Sequence, residues 1–69
     1  MDIEIRDVYF YLKMRSRNSY HVFIRKELFV GERKYVLGIE FVVGYDRKED
    51  AETFVKEKNE NAEPKQITV

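Results

Sequence analysis

Read two residues at a time, Tyr35-Val36-Leu37-Gly38-Ile39-Glu40-Phe41-Val42-Val43-Gly44-Tyr45 gathers its large apolar residues on one side. Tyr35, Leu37, Ile39, Phe41, Val43 and Tyr45 fall on one side, and Val36, Gly38, Glu40, Val42 and Gly44 on the other. A period of two belongs to a strand. Residues 3–15 are rich in β-branched and aromatic types and run into the turn formers Ser16-Arg17-Asn18-Ser19. Residues 20–30 form a second strand, Gly31-Glu32-Arg33-Lys34 the next turn, and residues 35–45 the third strand. Such short connections predict consecutive antiparallel hairpins, because a parallel return needs a crossover of about a dozen residues or more.

A trial register sets Val30 opposite Tyr35, Leu28 opposite Leu37, Ile24 opposite Phe41 and Val22 opposite Val43 on one face. It also pairs Arg25 with Glu40 and Phe23 with Val42 on the other, and matched pairs of this kind contribute about 0.2–1 kcal/mol each. Lys26 is the misfit on the apolar face, explained by snorkelling or by a bulge in the second strand. In the first strand Val8, Phe10, Leu12 and Met14 continue the core face, whereas Ile3 and Ile5 have the other parity. That difference predicts a bulge or strand end near Arg6-Asp7, with Tyr9 and Tyr11 pointing away from the core beside Lys13 and Arg15.

After Tyr45 the period becomes helical. Asp46 and Glu49 have capping-box spacing, and Ala51, Phe54, Val55 and Lys58 recur on one face. The helix is predicted over residues 47–59, ending in Asn59-Glu60-Asn61 ahead of Pro64. Gln66-Ile67-Thr68-Val69 alternates and could add a short edge strand. The resulting expectation is one α+β domain over residues 1–69. It is a three-stranded antiparallel β-meander with a C-terminal helix packed on one face (βββα) and room for a short fourth strand. Phe54 and Val55 are the only large apolar residues of the helix stripe, enough to cover one side of a small sheet. The Leu37, Ile39, Phe41 and Val43 side is the expected place.

At 69 residues the chain is in the size range where oligomerisation or a partner often completes the core. It has no cysteine and one histidine, His21, which removes disulfides and thiolate metal sites. No apolar run reaches membrane-spanning length and Met1-Asp2-Ile3-Glu4 is too acidic for a signal peptide, so a soluble, cytoplasmic protein is expected. The formal charge is zero but uneven. Residues 11–35 carry seven bases against two acids, and residues 46–69 seven acids against five bases.

With the helix on the Leu37 side, the opposite face would present Tyr9, Tyr11, Lys13, Arg15, Arg17, His21, Phe23 and Arg25, with Gly38 and Gly44 forming a shallow trough beside the rings. Exposed aromatic and arginine side chains mark protein interfaces. The expected function is therefore a non-enzymatic binding module, an accessory protein that associates with itself or with a protein partner. Nucleic-acid binding by the same face is the alternative, with Tyr9, Tyr11 and Phe23 stacking bases and Lys13, Arg15, Arg17 and Arg25 meeting phosphate.

Residues 37–45, followed by Lys48-Glu49-Asp50-Ala51-Glu52 and Ile67-Thr68-Val69, resemble the second half of an RNA-recognition-motif domain. There a Gly-aromatic-x-Phe-Val strand precedes an acidic helix and a short strand. The likeness implies that Ile39 and Phe41 face RNA, whereas periodicity puts them in the core. Glu40 stands where that family has a small residue, and no helix separates the first two strands. Catalysis finds no constellation: His21 near Ser19 and Tyr20 lacks an orienting third group. Asp2, Glu4 and Asp7 lack the spacing of a metal site. No metal, cofactor or small-molecule substrate is expected.

Overall fold

The computed structural model describes residues 2–68. It contains β1 (Asp2–Lys13), β2 (Tyr20–Val30), β3 (Arg33–Tyr45), α1 (Lys48–Asn61) and β4 (Lys65–Thr68). The four strands form one antiparallel sheet in the order β3-β2-β1-β4, with the helix packed on it. This is the expected βββα architecture with its fourth strand. Val69, part of the expected last strand, lies outside the described residues.

Local chemistry sets both hairpins. The Met14 amide donates to the Ser19 carbonyl at 2.9 Å and closes the first loop. At the second, Val30 pairs with Arg33, leaving a two-residue turn in which Gly31 alone has positive φ, +60°. Glycine at the first central position is the signature of a type II′ turn, whose twist matches the flanking strands. The expected four-residue turn is therefore shorter, and Arg33 and Lys34 already belong to β3.

That shortening moves the register. Val22 meets Val43 as expected, but Phe23 meets Phe41, Arg25 meets Ile39, Leu28 meets Tyr35 and Val30 meets Arg33. The ladder shifts twice, between Val22 and Phe23 and between Lys26 and Glu27, so Val42 and Leu37 have no partner on β2. β3 has 13 residues against 11 in β2, and the two extra ones are absorbed as bulges. The irregularity expected in β2 at Lys26 thus lies in the opposing strand. The one expected near Arg6-Asp7 is absent: β1 pairs with β2 without a break from Ile3–Val30 to Lys13–Tyr20.

An unbroken β1 puts Ile3, Ile5, Tyr9 and Tyr11 on a single face, with Tyr20, Val22, Ile24 and Leu28 of β2. The helix lies on this face. The Phe54 ring is edge-on to Tyr9 at 6.1 Å and tilted against Tyr45 at 5.9 Å, and Val22 of the sheet and Ala51 of the helix are fully buried. The expectation that α1 covers Leu37, Ile39, Phe41 and Val43 is overturned for Ile39 and Phe41. Val43 is on the helix side, Ile39 and Phe41 are on the far side, and Leu37 is 55% exposed in its bulge. The reason is polarity matching as well as parity. Tyr11 donates its hydroxyl to Glu52 Oε1 at 2.9 Å, and the Asn59 side chain accepts from the Tyr9 amide at 2.8 Å and donates to the Tyr9 carbonyl at 3.0 Å. Asn59 so supplies a strand-like partner to β1 beyond Ile5, where β4 stops. A largely polar helix finds more partners on a tyrosine surface than on a phenylalanine one.

The helix begins differently from the expected capping box. Arg47 is the N-cap and makes no side-chain capping bond, so Asp46 falls one residue outside. Glu49 and Asp50 in the first turn complement the positive helix end instead. The molecule is thin, 45 × 22 × 16 Å, with a radius of gyration of 14.2 Å. A compact domain of this length has a radius of gyration of about 11 Å.

Candidate functional site

The far side of the sheet carries no helix. Its surface is built from alternate residues of three strands: Val8, Phe10 and Leu12 of β1, His21, Phe23 and Arg25 of β2, and Ile39 and Phe41 of β3. Cross-strand pairing brings the rings together. Phe10 stacks on Phe23 at 5.6 Å, and Phe23 meets the edge of Phe41 at 6.0 Å, forming a ladder across β1, β2 and β3. His21 joins it, 5.2 Å from Phe41. Offset stacked and edge-on pairs are the favoured aromatic arrangements, so the ladder holds its shape without a cover.

Tyrosine and phenylalanine are segregated between the faces. Tyr9, Tyr11, Tyr20, Tyr35 and Tyr45 all have helix-side parity, whereas Phe10, Phe23, Phe29 and Phe41 have the opposite one. The face without a helix therefore holds the rings without hydroxyls. Leu12, Val36, Ile39 and Phe41 are each more than half exposed there.

The cations of the open face all lie against carboxylates, three cations to two acids. Arg25 Nε and Lys34 Nζ lie 2.9 and 2.8 Å from the same Glu27 Oε2, and Arg6 Nη2 lies 2.8 Å from Glu4 Oε2. Glu27 is only 4% exposed. The Lys34 ammonium, against the opposing effect of burial and with help from Arg25, holds its carboxyl below the usual carboxylate range. The guanidinium groups double as ring covers: Arg25 sits 5.5 Å over Phe10 and Arg6 5.0 Å over Phe29.

The eight residues expected to form one site are divided by the sheet. His21, Phe23 and Arg25 are on the open face; Tyr9, Tyr11 and Lys13 have helix-side parity; Arg15 and Arg17 are exposed in the β1–β2 loop. Tyr9 and Tyr11 are held by the helix, and the hydrogen bond to Glu52 raises the Tyr11 phenol above its ordinary pKa. The glycine trough separates too. A Cβ at Gly44 would come 3.3 Å from His21 Cδ2 and 4.0 Å from Phe41 Cζ, so rings already lie over it. Gly38 instead borders an open hollow of about 220 Å³ with Asp7, Ile24, Lys26, Leu37 and Glu40 on the helix side. Phe10, Leu12, Ile39 and Phe41 are the residues that periodicity assigned to the core. The signal that could have exposed them is β1 itself, where Phe10 and Leu12 alternate with Tyr9 and Tyr11.

No family model, curated protein or solved structure matches this chain. Among the described residues no cluster of three or more histidine or carboxylate side chains is placed to hold a metal ion, and no helix is long and apolar enough to cross a membrane.

Proposed function

We propose that the chain is a non-enzymatic binding module that associates with protein through the open phenylalanine face. The observation that carries this reading is the Phe10–Phe23–Phe41 ladder, bordered by Leu12, Val36 and Ile39, each more than half exposed. Contiguous exposed apolar patches on small domains mark interaction surfaces. The alternative, nucleic acid stacked on the same rings, draws support from the ladder and from Arg25 but is disfavoured by the ion pairs. Arg6, Arg25 and Lys34 already face carboxylates, and binding to a phosphate backbone depends on cations free to displace counterions. Of the basic residues expected to meet phosphate, Lys13, Arg15 and Arg17 are not in these pairs, and they belong to one end of the sheet.

Affinity capture from lysate with the full chain as bait distinguishes the two readings. Captured protein is expected to persist after nuclease treatment and to disappear with the Phe41→Asp bait. Capture that vanishes with nuclease, or oligonucleotide binding that weakens steeply with salt and requires Phe41, would establish the nucleic-acid reading in its place.

A further inference from the structure

We infer that the occupant of the open face is a second copy of this chain, packed face to face about a two-fold axis so that the sheets meet and both helices lie outside. This rests on the reading of that face as a protein-association surface and names its partner.

A compact monomer of 8.4 kDa exposes about 4,600 Å². This chain exposes 5632 Å². The surplus, about 1,000 Å², is close to the roughly 800 Å² that each partner contributes to a stable interface. A 45 × 22 Å outline accommodates a footprint of that size on one face. Four of the exposed large apolar side chains, Leu12, Val36, Ile39 and Phe41, are on the open face, while Tyr35 and Ile67 have helix-side parity and Leu37 and Val42 are in the bulges.

The chain is formally neutral, so two copies approach without net repulsion. On the face itself Glu4 pairs with Arg6, and Glu27 with Arg25 and Lys34. Three cations stand against two carboxylates, an excess of one positive charge, and the half-exposed Lys34 on edge strand β3 can keep that excess at the wet rim, so that apposed copies bury only the matched pairs Glu4–Arg6 and Glu27–Arg25.

Self-association of a sheet can also proceed by adding a strand at either edge, but β4 has only four residues and Asn59 occupies the Tyr9 backbone beyond it, which leaves β3 as the long edge strand. Its bulges at Leu37 and Val42 interrupt the ladder and twist the edge, as natural sheets do to block strand addition. The second copy therefore sits on the face, with the sheets about 10 Å apart and the phenylalanine ladders interdigitated.

Sedimentation equilibrium of the full chain, loaded from about 1 µM to about 1 mM, tests this. The wild type is expected to reach twice 8.4 kDa. Phe41→Asp, or Ile39→Lys should the first fail to fold by circular dichroism, is expected to weaken dimerisation at least about 30-fold, as loss of a central interface anchor does. Leu37→Asp, in the helix-side hollow, should leave it unchanged. A wild type that stays monomeric throughout overturns the second copy as occupant. In that case lysate capture that still needs Phe41 keeps the association reading, with a foreign partner. A dimer that survives both open-face changes but is dissociated by Leu37→Asp overturns both.

Discussion

The two faces of this sheet carry similar numbers of aromatic rings and treat them in opposite ways. On the helix side every ring is a tyrosine, and the packing is partly polar: a phenol on Glu52, a side-chain amide on the Tyr9 backbone, and one phenylalanine of the helix between Tyr9 and Tyr45. On the open side every ring of the sheet other than His21 is a phenylalanine, set against other rings and guanidinium groups. If the open face were meant for water, the hydroxyl-bearing rings would be expected there. The placement of Tyr9, Tyr11 and Tyr45 against the helix teaches that a small polar helix is satisfied by amphipathic rings, while the more apolar surface is left without a cover from the chain.

The largest expected effect comes from truncating one apolar residue on each face. Val22→Ala removes two methyl groups from a fully buried site under the helix and is expected to lower stability by about 2–3 kcal/mol. Phe41→Ala removes a larger side chain that is 56% exposed. In the dilute monomer it should change stability by about 1 kcal/mol or less. Urea midpoints at low protein concentration report both. Equal losses would mean that the open face is already core. A Phe41→Ala loss that grows with protein concentration would sharpen the contrast, since stabilisation by a partner follows mass action.

A smaller effect tests how the helix is fastened. Asn59→Ala removes both bonds to the Tyr9 backbone and should lower stability by about 1–2 kcal/mol. Hydrogen exchange localises the change, with the Tyr9 amide exchanging faster and the β2–β3 amides keeping their protection. Uniformly faster exchange would show that Asn59 supports the whole fold.

Much of the fold was legible and the site was only partly so, for reasons that particular residues make plain. The alternation of β3, the turn formers at Ser16–Ser19 and Gly31, and the helical spacing of Ala51, Phe54 and Val55 all report local structure, which a sequence carries directly. Which face receives the helix depends instead on parity relations between strands, and these pass through bulges. Two unpaired residues, Leu37 and Val42, are enough to exchange the sides of Ile39 and Phe41, because each bulge moves the subsequent side chains across the sheet. Hydrophobicity alone also pointed the wrong way. It assigned the most apolar face to the helix, although Glu52 and Asn59 on that helix find their partners at Tyr11 and Tyr9.

The smallest effect concerns Glu27, which ties the charges of the open face together. Its folded carboxyl titrates below the ordinary glutamate range, so it binds a proton less readily in the fold than in the unfolded chain. The stability it contributes is therefore complete above the unfolded glutamate pKa and is lost as pH falls through the lower folded value. Because Arg25 and Lys34 are 33% and 49% exposed, screening keeps the contribution to about 1 kcal/mol. Glu27→Gln should lower the urea midpoint at neutral pH and bring the two proteins together in acid, where wild-type Glu27 is also uncharged. The same substitution frees Arg25 and Lys34 on the open face. If paired charge is what makes that face suitable for a second copy, Glu27→Gln should also weaken self-association at low salt, and added salt should restore part of it. A dimer indifferent to both pH and salt would place the whole of the attraction in the phenylalanine ladder and none in the matched charges.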